Sequence, residues 1–396
     1  MSYLPLSRRI RSSADVRLVP ALALLLALAP SAAAGQASGE SDLDTRIASL
    51  SSLDYQTRMN AARLIRREPP EVAVPALQAA VADHPDEFVR YRAFVVLSSF
   101  THRDTPALVR RLLEDRNDRL REVAYKWLEA RPDAAIASTL LAALQTEQNE
   151  FVRPALVGAL AALGNNPQVQ RALLLEANRG VDFFRSAVID ALGRHRATYA
   201  LETIAAVAKL EGPLQDDAVL ALGRIGGERA GVALGAIGKA SPDLTLMIGA
   251  AQCLAGQSCD APLEALVDAT AAPDATVGRV RTAVSALAAA AADGKDAATE
   301  ALVGLAARGG AIRDEAAVGF GVAAVRNPDH TIAWLDAAPA EVRDTAIALL
   351  KDGFAELEED FGEEQFFAAA RAAYWAAAED SPSRTLAATL IQQLEF

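Results

Sequence analysis

The stretch DEFVRYRAFVVL, residues 86–97, decides the fold. Asp86 opens it with a side chain able to accept the free N–H groups of a helix's first turn. Val89 and Arg90 follow, and Ala93, Val96 and Leu97 stand three, six and seven residues after the arginine. At about 100° per residue these three positions share one face of a helix. The code returns along the chain at the anchors Arg58, Arg90, Arg121, Arg153, Arg185, Gln215, Met247, Arg281, Arg313, Arg343 and Arg384. Successive intervals run from 30 to 34 residues, except the last, which is 41. After Gln215, for instance, the same slots hold Ala218, Ala221 and Leu222. Such a period predicts stacked helical units, each unable to bury its apolar face alone.

The surroundings of each anchor fill out the unit. Asp54, Asp86, Asn117, Asn149, Asp243 and Asp380 stand four residues before their anchors and predict helix starts. A second helix precedes each of these, as over Val72 to Asp83, Ala107 to Asp115, Ala134 to Leu144, Gln168 to Ala177 and Ala200 to Lys209. Proline and glycine separate the pairs at Pro69-Pro70, Pro132, Gly164 to Pro167, Gly226-Gly227 and Pro328. Apolar residues make up 52% of the chain and aromatics only 5%, so the core is Ala, Leu and Val, which suits closely packed helices and disfavours strands.

The order of acidic or amide cap, apolar residue, Arg, then Ala and Ala-Leu positions resembles HEAT repeats. The short period is similar to that of phycobilisome-lyase-type HEAT proteins. The resemblance covers residues 42–396 and implies an all-α, right-handed α-solenoid of about eleven HEAT-like helix pairs. It also implies that the arginines Arg58, Arg90, Arg121, Arg153, Arg185, Arg313 and Arg343 form a structural ladder tying adjacent units, often to the capping Asp. Each anchor lies roughly 60° from the core direction, a flanking place between repeats. Gln215 and Met247 depart from the ladder. HEAT architecture by itself is shared by scaffolds, adaptors, transport factors and some enzymes.

Residues 1–34 have a different character. Arg8, Arg9, Arg11 and Arg17 form a basic region, Leu18 to Ala29 an apolar one, and Ala32-Ala33-Ala34 a small-residue cleavage site. This order predicts a secretory signal peptide cut near Ala34, and a periplasmic or secreted mature chain. Residues 35–41 read as a flexible Gly/Ser-containing linker. The leader carries four Arg and one Asp, a net +3, so its loss moves the formal charge from −12 to −15. A surface that acidic repels phosphate backbones and anionic membranes, which argues against nucleic acid as the partner. Beyond the leader no run reaches the ~18 apolar residues of a membrane span, and no membrane insertion is expected.

Cys253 and Cys259 are the only cysteines, and in an exported chain an even count predicts a disulfide. The four histidines, His84, His102, His195 and His330, lack a His or Cys neighbour at metal-binding helical spacing, so neither a metal nor a cofactor is expected. No catalytic residue is assigned, because no nucleophile elbow, phosphate loop or dinucleotide fingerprint occurs in context. The densest charge run, Glu356, Glu358, Glu359, Asp360, Glu363 and Glu364, lacks the spacing of a calcium loop and reads as a solvated helix face with a loop, with weak extracellular calcium binding as the alternative.

These readings lead to an exported scaffold that binds an unidentified protein through its concave face. The alternative is a lyase- or hydrolase-type HEAT-fold enzyme acting on a protein-bound or small-molecule substrate. With the core at positions three, six and seven after the anchor, positions one, five and eight point inward. Those slots hold Met59, Arg63 and Arg66, then Tyr91, then Glu122, Lys126 and Glu129, with Asp190, Asp216, Asp314 and Asp344 later. The middle of the array reads as small and plain, at Gly158, Ala161, Gly193 and Gly223. Arg63, Tyr91, Glu122 and Lys126 are therefore the expected partner contacts, since aromatic and Arg side chains carry most interface energy.

Overall fold

A computed structural model describes residues 37–394 apart from 242–243, 273–274 and 358. The expected leader, Asp243 and Glu358 lie outside the described residues. Eleven helix pairs follow one another. They are α1 (Ala37–Ala48) with α2 (Tyr55–Arg66), α3 (Pro70–Asp83) with α4 (Glu87–Ser98), α5 (Thr105–Leu112) with α6 (Asp118–Ala130), and α7 (Ala137–Thr146) with α8 (Arg153–Ala161). Next come α9 (Pro167–Asn178) with α10 (Asp182–Arg194), α11 (Leu201–Ala208) with α12 (Gln215–Ile225), α13 (Gly227–Ala240) with α14 (Thr245–Leu254), and α15 (Asp260–Ala271) with α16 (Val277–Ala292). The last three are α17 (Asp296–Leu305) with α18 (Gly310–Arg326), α19 (Pro328–Ala337) with α20 (Ala340–Leu357), and α21 (Asp360–Ala376) with α22 (Pro382–Leu394). No strand occurs among the described residues, and the fold is an all-α solenoid. Helix α1 begins at Ala37, so 37–41 of the segment expected to be linker are helical.

The starts of the even-numbered helices are chemical. The Asp54 carboxylate accepts the Thr57 N–H, Asp86 those of Phe88 and Val89, and Asn117 that of Arg119. Asn149 accepts from Phe151 and Val152 ahead of α8. Each satisfies donors that the helix itself leaves unpaired. Asp380 departs from expectation: its φ is 58°, a left-handed turn, and Ser381 Oγ accepts the Arg384 N–H instead. Extended backbone is what an N-cap needs, and Asp380 does not have it.

Each even helix packs on the next even helix and on its own odd partner, so burial runs continuously through the array. The coded slots lie in that core: Ala93, Leu97, Ala218 and Leu222 are fully enclosed. The ladder side chains reach along it. Arg90 Nε donates to Val81 O, Arg185 Nε to Ala177 O and Arg343 Nε to Leu335 O, all carbonyls near the ends of the preceding odd helices. Gln215 makes the same bond to Ala208 O, which explains how the ladder tolerates an amide there. Arg58 donates to Ser52 O. Several anchors also reach into the next unit, Arg90 to Asp115, Arg121 to Glu147, Arg153 to Glu176 and Arg313 to Asp352. In the Arg90 and Arg121 ties the acid is not the cap but stands two residues before it.

The small, plain middle of the inner layer is a helix contact. A Cβ on Gly193 would fall 2.8 Å from Ala221 Cα, and one on Gly223 would fall 2.5 Å from Ala251 O. Helices α10, α12 and α14 therefore approach backbone to backbone. So close an approach on the inner side, where glycines of the outer helix α13 such as Gly231 and Gly235 meet no backbone, curves the array inward. Sγ atoms of Cys253 and Cys259 are bonded, pinning the end of α14 to the start of α15.

Candidate functional site

The curvature brings the last pair back onto the first three. Helix α20 has 18 residues, the longest among the described helices, and Gly353 lies against Ala317 and Gly321 of α18. Helix α21 then runs across the inside of the array, in contact with α18, α19 and α22 behind it and with α4 in front. Glu359, Asp360 and Glu364 of the acidic segment are thus not a solvated face, whereas Glu356, on α20, is exposed as expected. Those three residues supply the N-cap and start of α21, which meets three successive inner helices.

Three carboxylates make that seam. Glu364 accepts from Arg66 of α2, with Nε at 2.8 Å and a terminal nitrogen at 2.5 Å. Asp360 accepts from the Tyr91 hydroxyl at 2.8 Å and from Arg92 at 3.2 Å, both on α4. Glu359 accepts from Lys126 Nζ on α6 at 2.8 Å, and Glu122 holds the same ammonium at 2.9 Å. Gln365 donates to Ser98 Oγ at 3.0 Å. Burial would depress the Lys126 ammonium, but Glu359 and Glu122 outweigh it and hold it above its ordinary value. Burial and then Asp360 push the Tyr91 phenol far up, so it stays a donor.

Between α2, α4 and α21 a small cleft is lined by Leu50, Met59, Val96 and Phe367 on the apolar side. Arg58, Arg92, Asp360 and Glu363 line its polar side. Burial, then repulsion from Arg92, lowers the Arg58 guanidinium. Glu363 lies on the polar side of this cleft and is hydrogen-bonded to the Glu359 backbone. Burial, reinforced by Asp360 and Glu359, pushes its carboxyl up to about 8.

A second cluster braces the middle of the array. Glu129 of α6 accepts from Arg194, and its Oε1 lies 3.0 Å from His195 Nε2. Asp190 receives Arg194 at 2.9 Å, Arg224 at 2.8 Å and Arg326 of α18 at 3.5 Å. Asp293, after α16, takes Arg224 at 3.3 Å. Burial opposes ionisation of Asp190, yet Arg326, Arg194 and Arg224 hold it well below the ordinary carboxylate range. Among the described residues no group of three or more His, Cys, Asp or Glu is placed to hold a metal ion.

Of the four expected contacts, the structure brings Tyr91, Glu122 and Lys126 together at the seam. Arg63 stands apart, bonded to Asn60 at 2.7 Å with its Nε unpartnered. The inner-face geometry places Tyr91, Arg66, Lys126, Glu129 and Asp190 inside, as the slot count implies. The partners of Arg66, Tyr91 and Lys126 were missed, because contacts spanning 233 to 298 residues leave no local period. The longer last interval and its acidic density were the available signal.

A family model of HEAT repeats matches residues 43–129. Among solved structures the chain is similar to the complex of CpcE and CpcF of phycocyanin lyase from Nostoc sp. PCC7120. Identity is 21% and the TM-score 0.30, over 80% of this chain and 94% of that one. No curated protein matches.

Proposed function

We propose that the chain is an exported scaffold that binds a protein partner on the inner face of its first three repeats, through Arg63, Tyr91, Glu122 and Lys126. The observation that carries this reading is the grouping of Arg66, Tyr91, Arg92 and Lys126 on three successive inner helices, already holding a helix by side-chain hydrogen bonds. Aromatic and Arg groups aligned on rigid helices are what protein interfaces concentrate. Export is supported by the order of residues 8–34 and by the bonded cysteines, which persist in oxidising compartments. The test is a pull-down from periplasm or culture medium, repeated with a joint Arg63→Glu, Tyr91→Ala, Lys126→Glu variant of unchanged helicity. A partner captured equally by both chains would reject this face. N-terminal sequencing of exported protein beginning at Met1 would reject the cleavage site.

A further inference from the structure

We infer that the inner face of α2, α4 and α6 is a receptor for an acidic helix, that α21 fills it in cis, and that the partner is a protein helix of the same chemistry. The proposal rests on the scaffold reading and specifies its ligand.

Two observations point to a displaceable occupant. The first is the asymmetry of α21. Its rings Phe366 and Phe367 stack edge-on to Phe354 of α20, and Gly362 sits against Val325 of α18, so most of this packing faces its own end of the array, Phe367 alone also lining the cleft toward α2 and α4. Toward the first three repeats it offers Glu359, Asp360, Glu364 and Gln365, with Phe367 beside Arg66. Polar contacts of this kind set specificity and register more than stability. The second is the register itself. Glu359, Asp360 and Glu364 address α6, α4 and α2 in order, so the N-cap and the start of one helix read three repeats. A partner helix opening on two adjacent carboxylates, with a third four or five residues on, would make the same bonds. Tyr91 and Lys126 can meet it only when α21 has left.

The probe is a fluorescent peptide of residues 359–376 added to the full-length chain. In wild type the cis helix competes, so binding is weak. A Glu359→Gln, Asp360→Asn chain keeps the buried Glu364 but loosens the seat, and it should bind the wild-type peptide at least tenfold tighter, since its competent fraction rises. A Tyr91→Phe, Lys126→Gln pair added to that chain should weaken binding by about tenfold, through the lost charge-assisted bonds. A peptide with the same two acids neutralised should bind as weakly. Hydrogen exchange over 359–376 reports whether α21 is released. Unchanged protection in the loosened chain would overturn the proposal, as would a released α21 with no peptide binding, or binding indifferent to the acids. Peptide binding without any captured partner would keep this surface and reject the scaffold reading, so the two failures are distinct.

Discussion

Arg66 and Glu364 stand 298 residues apart in sequence, and their side chains meet with 5% and 1% of their surface exposed. The described residues between them form a helical array whose ends this pair joins. Removing two charges from water costs about as much as their attraction returns, so the pair's worth lies in where it holds α21.

Breaking the pair on one side should be far worse than removing it whole. Arg66→Met leaves the Glu364 carboxylate buried with only Arg371 near, at 3.4 Å, and should lower the unfolding free energy by about 3–5 kcal/mol. The joint Arg66→Met, Glu364→Leu chain should recover most of that loss. Urea denaturation followed by circular dichroism decides, and equal losses in both variants would show that the pair is not buried in solution.

Glu363 should make the seam weaker as the solution becomes more alkaline. Its folded-state pKa, about 8, exceeds the ordinary 4.5, so the folded chain holds a proton that the unfolded chain has lost. The stability this group gives is complete below about 4.5 and declines as pH rises through about 8. The charges facing it are Arg58, Arg66 and Arg92 from the front, and Glu359, Asp360 and Glu364 on its own element. Glu363→Gln should flatten that slope between pH 5 and 8 in urea midpoints. A slope as steep as wild type would place the proton elsewhere.

Close helix approach in the middle of the array should tolerate no added carbon. Gly223→Ala puts a Cβ within 2.5–2.9 Å of the Ala251 backbone and should cost about 1–3 kcal/mol by overpacking. Gly231→Ala, whose Cβ meets only the Gln257 side chain at 3.7 Å, should be neutral or slightly stabilising. A reversed order in thermal melts would contradict the curvature argument.

Closing so short a loop, Cys253→Ser should cost only ~2 kcal/mol. Maleimide should label no cysteine in unfolded, unreduced wild type. Two labels per chain would mean that the bond does not form.

The repeat was legible because its causes are local. The cap at Asp86, the anchor Arg90 and the buried slots Ala93, Val96 and Leu97 all lie within twelve residues. The inward direction of Tyr91 and Lys126 was legible by the same angular count. What they face was not, because it depends on the curvature accumulated over many repeats and set by contacts such as Gly193 on Ala221. Asp360 and Glu359 carry the signature of solvated charge in sequence, and only closure of the array turns them into partners of Tyr91 and Lys126.

That closure has a direct test in the unmodified chain. A carbodiimide joins an ammonium to a carboxylate only when the two touch, and Lys126 Nζ touches both Glu122, at 2.9 Å, and Glu359, at 2.8 Å. The first pair is one helical turn apart and reports that Lys126 reacts. The account predicts that mass spectrometry of the monomer finds the Lys126–Glu359 amide alongside the Lys126–Glu122 one. Finding the local link alone, with no Lys126–Glu359 amide within a single chain, would contradict it.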